Sequence, residues 1–219
     1  MMKISTIFQR LGILICLLSA HGVGTQAQTY KPMLQEGKEW YLRSVYPPRG
    51  ADESFFRKIC GDTLLVDGVS YKKLVNWENQ LVGGLREEGK KVYSGSDELF
   101  DFNLQEGDTL YSAYGTVVVS TGDSIRVDGR SYLRLGIAPA DLYTEDDGFL
   151  SPWEYWVEGV GSSFGIYPIW GMYIIGPHNE LDSCKVDGKL LFTRNDFWRA
   201  PNSERQWVHC RYGQVTYQQ

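Results

Sequence analysis

The sequence predicts an all-β fold: a single antiparallel meander domain, closed as a barrel or folded as a sandwich, built partly from duplicated Asp-Gly hairpins. Three observations point there. Short runs of β-branched and aromatic residues are punctuated by Asp-Gly at 67–68, 128–129, 147–148 and 187–188, and by Glu-Gly at 36–37, 88–89, 106–107 and 158–159. Asp-Gly between apolar runs is a strong hairpin signal, because a type I′ turn needs positive φ at both central residues. Strands joined this way are antiparallel, and their regular recurrence suits a meander.

The second observation is a repeat. Gly61-Asp-Thr-Leu-Leu-Val-Asp-Gly-Val-Ser-Tyr-Lys-Lys-Leu74 matches Gly122-Asp-Ser-Ile-Arg-Val-Asp-Gly-Arg-Ser-Tyr-Leu-Arg-Leu135 at eight of fourteen positions, with a constant offset (122 − 61 = 61). The third is register. A two-residue turn at Asp67-Gly68 sets Val66 against Val69, Leu64 against Tyr71 and Asp62 against Lys73. In the second copy Val127 faces Arg130, Ile125 faces Tyr132 and Asp123 faces Arg134. Both copies thus place an aliphatic–aromatic pair beside an opposite-charge pair, each worth roughly 0.2–1 kcal/mol. A shorter unit, Lys185-Val-Asp-Gly-Lys-Leu190, sets Cys184 against Leu191 and turns the thiol inward.

The remaining elements follow in order. Glu39–Tyr46 opens the sheet, and Pro47-Pro48 ends it because proline donates no ladder hydrogen bond. Residues 81–86 and 90–94 form a hairpin around Glu88-Gly89. Leu99–Leu104 leads to the turn at Glu106-Gly107, and Thr116–Ser120 reads as a buried strand. Trp153–Glu158 and Phe164–Ile169 flank a glycine-rich bend, and residues 138–152 form the longest loop. No composition shift marks a boundary, so residues 28–219 are expected to be one domain.

Residues 1–27 read as a signal peptide. Lys3 and Arg10 supply a basic start, Leu11–Leu18 a short apolar run, and Ala27 a small residue for cleavage. The apolar run is too short to anchor the chain. Ile15 stands before Cys16 where a lipoprotein signal needs a small residue, so lipidation is not expected. Removing this segment takes two basic groups from the 22 Lys+Arg and none from the 27 Asp+Glu, leaving 20 − 27 = −7. An acidic chain without a long apolar segment disfavours nucleic acid and stable membrane insertion. A secreted or periplasmic product follows.

Among candidate site residues, Gly161-Ser-Ser-Phe-Gly165 fits G-x-S-x-G, followed by Asp182 or Asp187 and then His209 in hydrolase order. That motif works on a strand–turn–helix, whereas these flanks are β-like, so a glycine-permitted bend is favoured over a serine nucleophile at Ser163. Glu145-Asp-Asp-Gly148 with Glu154 has part of a calcium-loop spacing, but Tyr143 stands at the first ligand position. Glu154 and Glu158 on one extended strand face lie about 13 Å apart, too far for a glycosidase pair. Neither a metal nor a cofactor is implied. Five of the seven tryptophans follow residue 150. Trp153, Trp156 and Trp170 are the candidate ligand platform, with core packing the competing role. Cys184 and Cys210 are the expected disulfide, which ties a tail of poor strand character to the sheet and leaves Cys60 free.

The 61–74 hairpin, Leu85-Arg-Glu-Glu-Gly-Lys-Lys-Val-Tyr93, Leu99-Phe-Asp-Phe-Asn-Leu-Gln-Glu-Gly-Asp-Thr-Leu110 and Trp156-Val-Glu-Gly-Val-Gly-Ser-Ser-Phe-Gly165 together resemble a group of exported β-rich proteins of Bacteroidota. The resemblance spans roughly residues 36–192 and implies export and a β-rich fold rather than a reaction. The expected role is a non-catalytic module that binds a small molecule, a glycan or an envelope protein. A secreted serine hydrolase (Ser163, His209, Asp182) and a carbohydrate-binding domain are the alternatives.

Overall fold

A computed structural model describes residues 29–46, 50–112, 115–140, 151–170, 177–201, 210–211 and 214–215. The chain is all-β, with two curled antiparallel sheets forming half-barrels. The larger sheet contains β1 (Lys38–Tyr46), β2 (Gly50–Val66), β3 (Val69–Val75), β4 (Leu81–Glu88), β5 (Lys91–Ser94), β6 (Asp97–Asp101), β12 (His178–Val186) and β13 (Lys189–Thr193). Its order is β13-β12-β1-β2-β3-β4-β5-β6. The smaller sheet, in the order β11-β10-β9-β8-β7, holds β7 (Thr109–Ser112), β8 (Gly115–Val127), β9 (Arg130–Pro139), β10 (Glu154–Val157) and β11 (Gly161–Ser162). A 3₁₀ turn (Arg194–Trp198) follows β13, and β14 (Cys210–Arg211) pairs with β15 (Gln214–Val215). No helix among the described residues is long and apolar enough to cross a membrane.

The acid–glycine turns are built as their chemistry requires. Asp67 and Gly68 have φ of 51° and 78°, Asp128 and Gly129 48° and 74°, and Asp187 and Gly188 50° and 74°. Each pair is therefore positive at both central positions, as type I′ demands. In the second copy all three expected pairs form: Val127–Arg130, Ile125–Tyr132 and Asp123–Arg134. In the first copy Val66–Val69 and Leu64–Tyr71 form, but a bulge between Cys60 and Thr63 makes Cys60 the ladder partner of Lys73. Asp62 leaves the ladder and still reaches Lys73 at 3.3 Å.

Three local readings are corrected. Gly89 and Lys90, with φ of 57° and 68°, form the turn, so Glu88 pairs with Lys91 rather than sitting at the bend. A bulge beside Lys185 shifts Cys184 from Leu191 to Phe192. Residues 164–169 do not form a strand, because Gly165 adopts a φ of 111° and folds back on Ser162. The expected Cys184–Cys210 bridge rests on Cys210, whose side chain lies outside the described residues; Cys184 is a free thiol, fully buried as the alternation required. Burial pushes that thiol up to about 11. Pro47-Pro48, the Asp147-Gly148 turn and most of the 138–152 loop lie outside the described residues.

Both sheets face one core. Trp40, Ile59, Leu85 and Phe100 of the larger sheet meet Ile125, Tyr132, Leu135 and Trp156 of the smaller. The Trp40 indole N–H donates to the Val160 carbonyl at 2.7 Å, and Phe100 meets Trp156 edge to face at 5.2 Å. These contacts fix how the sheet edges approach each other, which creates the site described next.

Candidate functional site

Where β6 and β7, edge strands of the two sheets, come together, a cleft of about 770 Å³ opens. That volume lies within the range of roughly 300–1,000 Å³ typical of ligand pockets. Asp97, Glu98 and Asp101 line one wall and Thr109 and Tyr111 another, with Tyr167 and Trp170 arriving from the segment after β11. Alternation along the short strand β7 sends Leu110 into the core and leaves Tyr111 84% exposed. Tyr167 is also exposed.

The acidic wall is held by one lysine. Lys91 Nζ lies 2.9 Å from Glu98 and 2.8 Å from Asp101. Burial alone would raise the Asp101 carboxyl. Hydrogen bonds from Lys91 and from the Asn103 backbone and side-chain amides, the latter two at 2.9 and 2.8 Å, outweigh it and hold the group below the ordinary aspartate range. The same two carboxylates raise the Lys91 ammonium above its usual value. Asp101 and Lys91 therefore stay charged at neutral pH, and three carboxylates and one lysine line the cleft.

The aromatic wall is positioned from below. Glu154, fully buried on β10, accepts from the Ile169 N–H at 3.2 Å and from the Ser162 hydroxyl. Trp170 follows with a φ of 55°, a left-handed conformation uncommon for a large L-residue and frequent where a side chain is aimed for function. Its ring meets Trp156 edge to face at 5.3 Å. Trp156 is itself fully buried, and its indole N–H has no acceptor among the described residues.

The candidate platform therefore divides. Trp170 lines the cleft, Trp156 supports it from the core, and Trp153 is half-buried outside the cleft wall. Glu154 and Glu158 are both buried, and Glu158 accepts from the Lys31 backbone N–H at 2.5 Å. Tyr111, Tyr167, Asp97, Glu98 and Asp101 carry no motif that marks them in the sequence. Their one advance signal is the pair of closely spaced turns near Gly89 and Gly95 that folds Lys91 onto Asp101.

The G-x-S-x-G residues have a structural account. A Cβ on Gly165 would stand 2.2 Å from Leu42 Cδ2, and one on Gly161 2.9 Å from the Gly165 carbonyl. Ser163 is buried in the turn, where its hydroxyl accepts from the Tyr155 N–H at 3.2 Å and its carbonyl from the Leu181 N–H at 3.0 Å. The turn thus staples β10 to β12 of the other sheet. Asp182 faces solvent 3.9 Å from Arg43, and Asp187 occupies a hairpin turn. His209 lies outside the described residues, as do residues 143–148 of the partial calcium pattern. No group of three or more metal-ligating side chains occurs among the described residues. Comparison with family models, curated proteins and solved structures finds no match to this chain.

Proposed function

We propose that the chain is an exported, non-catalytic binding module whose ligand is a neutral or amino-bearing oligosaccharide held in the β6–β7 cleft. The observation that carries this reading is the joint placement of Tyr111, Tyr167 and Trp170 with Asp97, Glu98 and Asp101 around one open groove. Aromatic faces pack against the apolar faces of sugar rings, and carboxylates accept hydrogen bonds from hydroxyl or ammonium groups. The acidic excess repels phosphate- or sulfate-bearing ligands. Glu98 and Asp101 are both committed to Lys91, which favours holding a ligand over transferring a proton to it. Export is supported by the basic–apolar–small pattern of residues 1–27.

Tryptophan fluorescence titrated with cellohexaose, xylohexaose and chitohexaose tests the reading. At least one is expected to shift the emission saturably, and Trp170→Ala is expected to weaken it by about tenfold or more, in the range of lost aromatic hot spots. Absence of a saturable response to all three, or a response indifferent to Trp170→Ala and Tyr111→Ala, rejects the cleft.

A further inference from the structure

A second cavity of about 390 Å³ shares no lining residue with the cleft and has the opposite charge. Its lining includes Lys38, the first residue of β1, only 1% exposed. The ammonium donates to the Gly159 carbonyl, and no carboxylate among the described residues lies within ion-pair distance of it. Lys31 forms a wall, with its ammonium 5.0 Å above the Tyr132 ring and donating to the Ser131 carbonyl. Arg130 stands exposed at the rim.

Two carboxylates close to the cavity are turned to other work. Glu158 accepts from the Lys31 backbone N–H at 2.5 Å. Glu87 accepts from the Tyr30 hydroxyl and from the Met33 and Leu34 N–H groups at 2.8 and 2.9 Å. Neither lines the cavity, so three cations and no acid face it in a chain of net charge −5. Burying an ammonium without a counter-charge is costly, and here desolvation lowers the Lys38 pKa against the opposing influence of Cys184 and Glu87. An anion entering the cavity supplies the missing charge. The rest of the lining is apolar or aromatic, including Pro32, Tyr132 and Leu191. The space far exceeds the roughly 30 Å³ share of one water.

We propose that this cavity binds a small organic carboxylate, its oxygens held by Lys38, Lys31 and Arg130 and its apolar body set against Tyr132, Pro32 and Leu191. The mixed lining favours an organic acid over a bare inorganic oxyanion, since hydrated phosphate gains nothing from the aromatic and aliphatic wall. The site is independent of the oligosaccharide cleft.

Isothermal titration calorimetry of the full chain at neutral pH, with benzoate, benzyl alcohol and inorganic phosphate as probes, tests the proposal. Benzoate is expected to bind at one site per chain, and benzyl alcohol, which lacks the charge, to give no saturable heat. Lys38→Met and Arg130→Gln are each expected to weaken benzoate by about tenfold or more, as befits lost charge-assisted hydrogen bonds. Arg130→Gln sits on the exposed rim and leaves the core intact, so it reads the site even if Lys38→Met disturbs packing. Trp170→Ala is expected to leave benzoate affinity unchanged, which separates this site from the cleft. Absence of benzoate binding, or binding indifferent to both Lys38→Met and Arg130→Gln, overturns the site. Phosphate bound as tightly as benzoate overturns the ligand class.

Discussion

The two copies of the repeated hairpin share eight residues of fourteen but occupy different surroundings. Around Asp128-Gly129, Ile125, Val127 and Tyr132 are buried, and Arg134 is 4% exposed. Arg134 meets Asp123 at 2.5 Å, donates to the Phe197 and Arg199 carbonyls at 2.6 and 2.8 Å, and lies over the Tyr155 ring. Around Asp67-Gly68, Leu65, Val66 and Val69 are exposed, and Lys73 meets only a solvated Asp62. Turn chemistry fixes the register of the pairs next to the turn in both copies. What each pair contributes energetically depends on what lies above it.

The largest contrast is expected at the charge pair. Arg134→Ala strands the half-buried Asp123 carboxylate and the Phe197 and Arg199 carbonyls and is expected to cost about 2–4 kcal/mol in chemical denaturation. Lys73→Ala is expected to cost about 1 kcal/mol or less. Equal costs would refute the comparison. Next comes the tyrosine pair. Tyr132→Ala empties a core position packed against Phe192 and is expected to cost about 3–5 kcal/mol. Tyr71→Ala, at a half-buried position, is expected to cost clearly less.

Where the copies are locally alike, the costs should converge. Gly68→Ala and Gly129→Ala each force a Cβ into left-handed backbone with nothing within 4 Å of it. Each is expected to destabilise by about 1–2 kcal/mol, and a large difference between them would mean that the turns are not equivalent. The smallest effect is expected for Leu65→Arg, which installs the second copy's residue (65 + 61 = 126) at an exposed tip. Its unfolding free energy should change by less than about 0.5 kcal/mol.

The same contrast explains what could be read from the sequence. Hairpin register was legible because it is set within a few residues of each Asp-Gly pair. The bulge beside Cys60 was not, since it depends on how β2 continues past β3 to pair with β1. The strand expected over 164–169 failed for a long-range reason: Gly165 must approach Leu42, more than a hundred residues earlier in the chain. Alternation alone placed Cys184 inward, but it does not supply a bonding partner, and the thiol is free. Trp170 was named from the sequence as a candidate for the ligand platform, and it lines the cleft half-buried. Its companions Tyr111 and Tyr167 were not, because they meet only when the edges of two separate sheets converge.

Binding is proposed for the groove between sheet edges rather than for the repeated hairpins. The most direct test is a backbone amide NMR titration with whichever of the three hexasaccharides binds most tightly. Perturbations are expected to cluster at residues 94–101, 109–111 and 167–170, with both hairpin tips, 65–69 and 126–130, unmoved. Shifts concentrated at those tips, with the groove silent, would contradict the assignment.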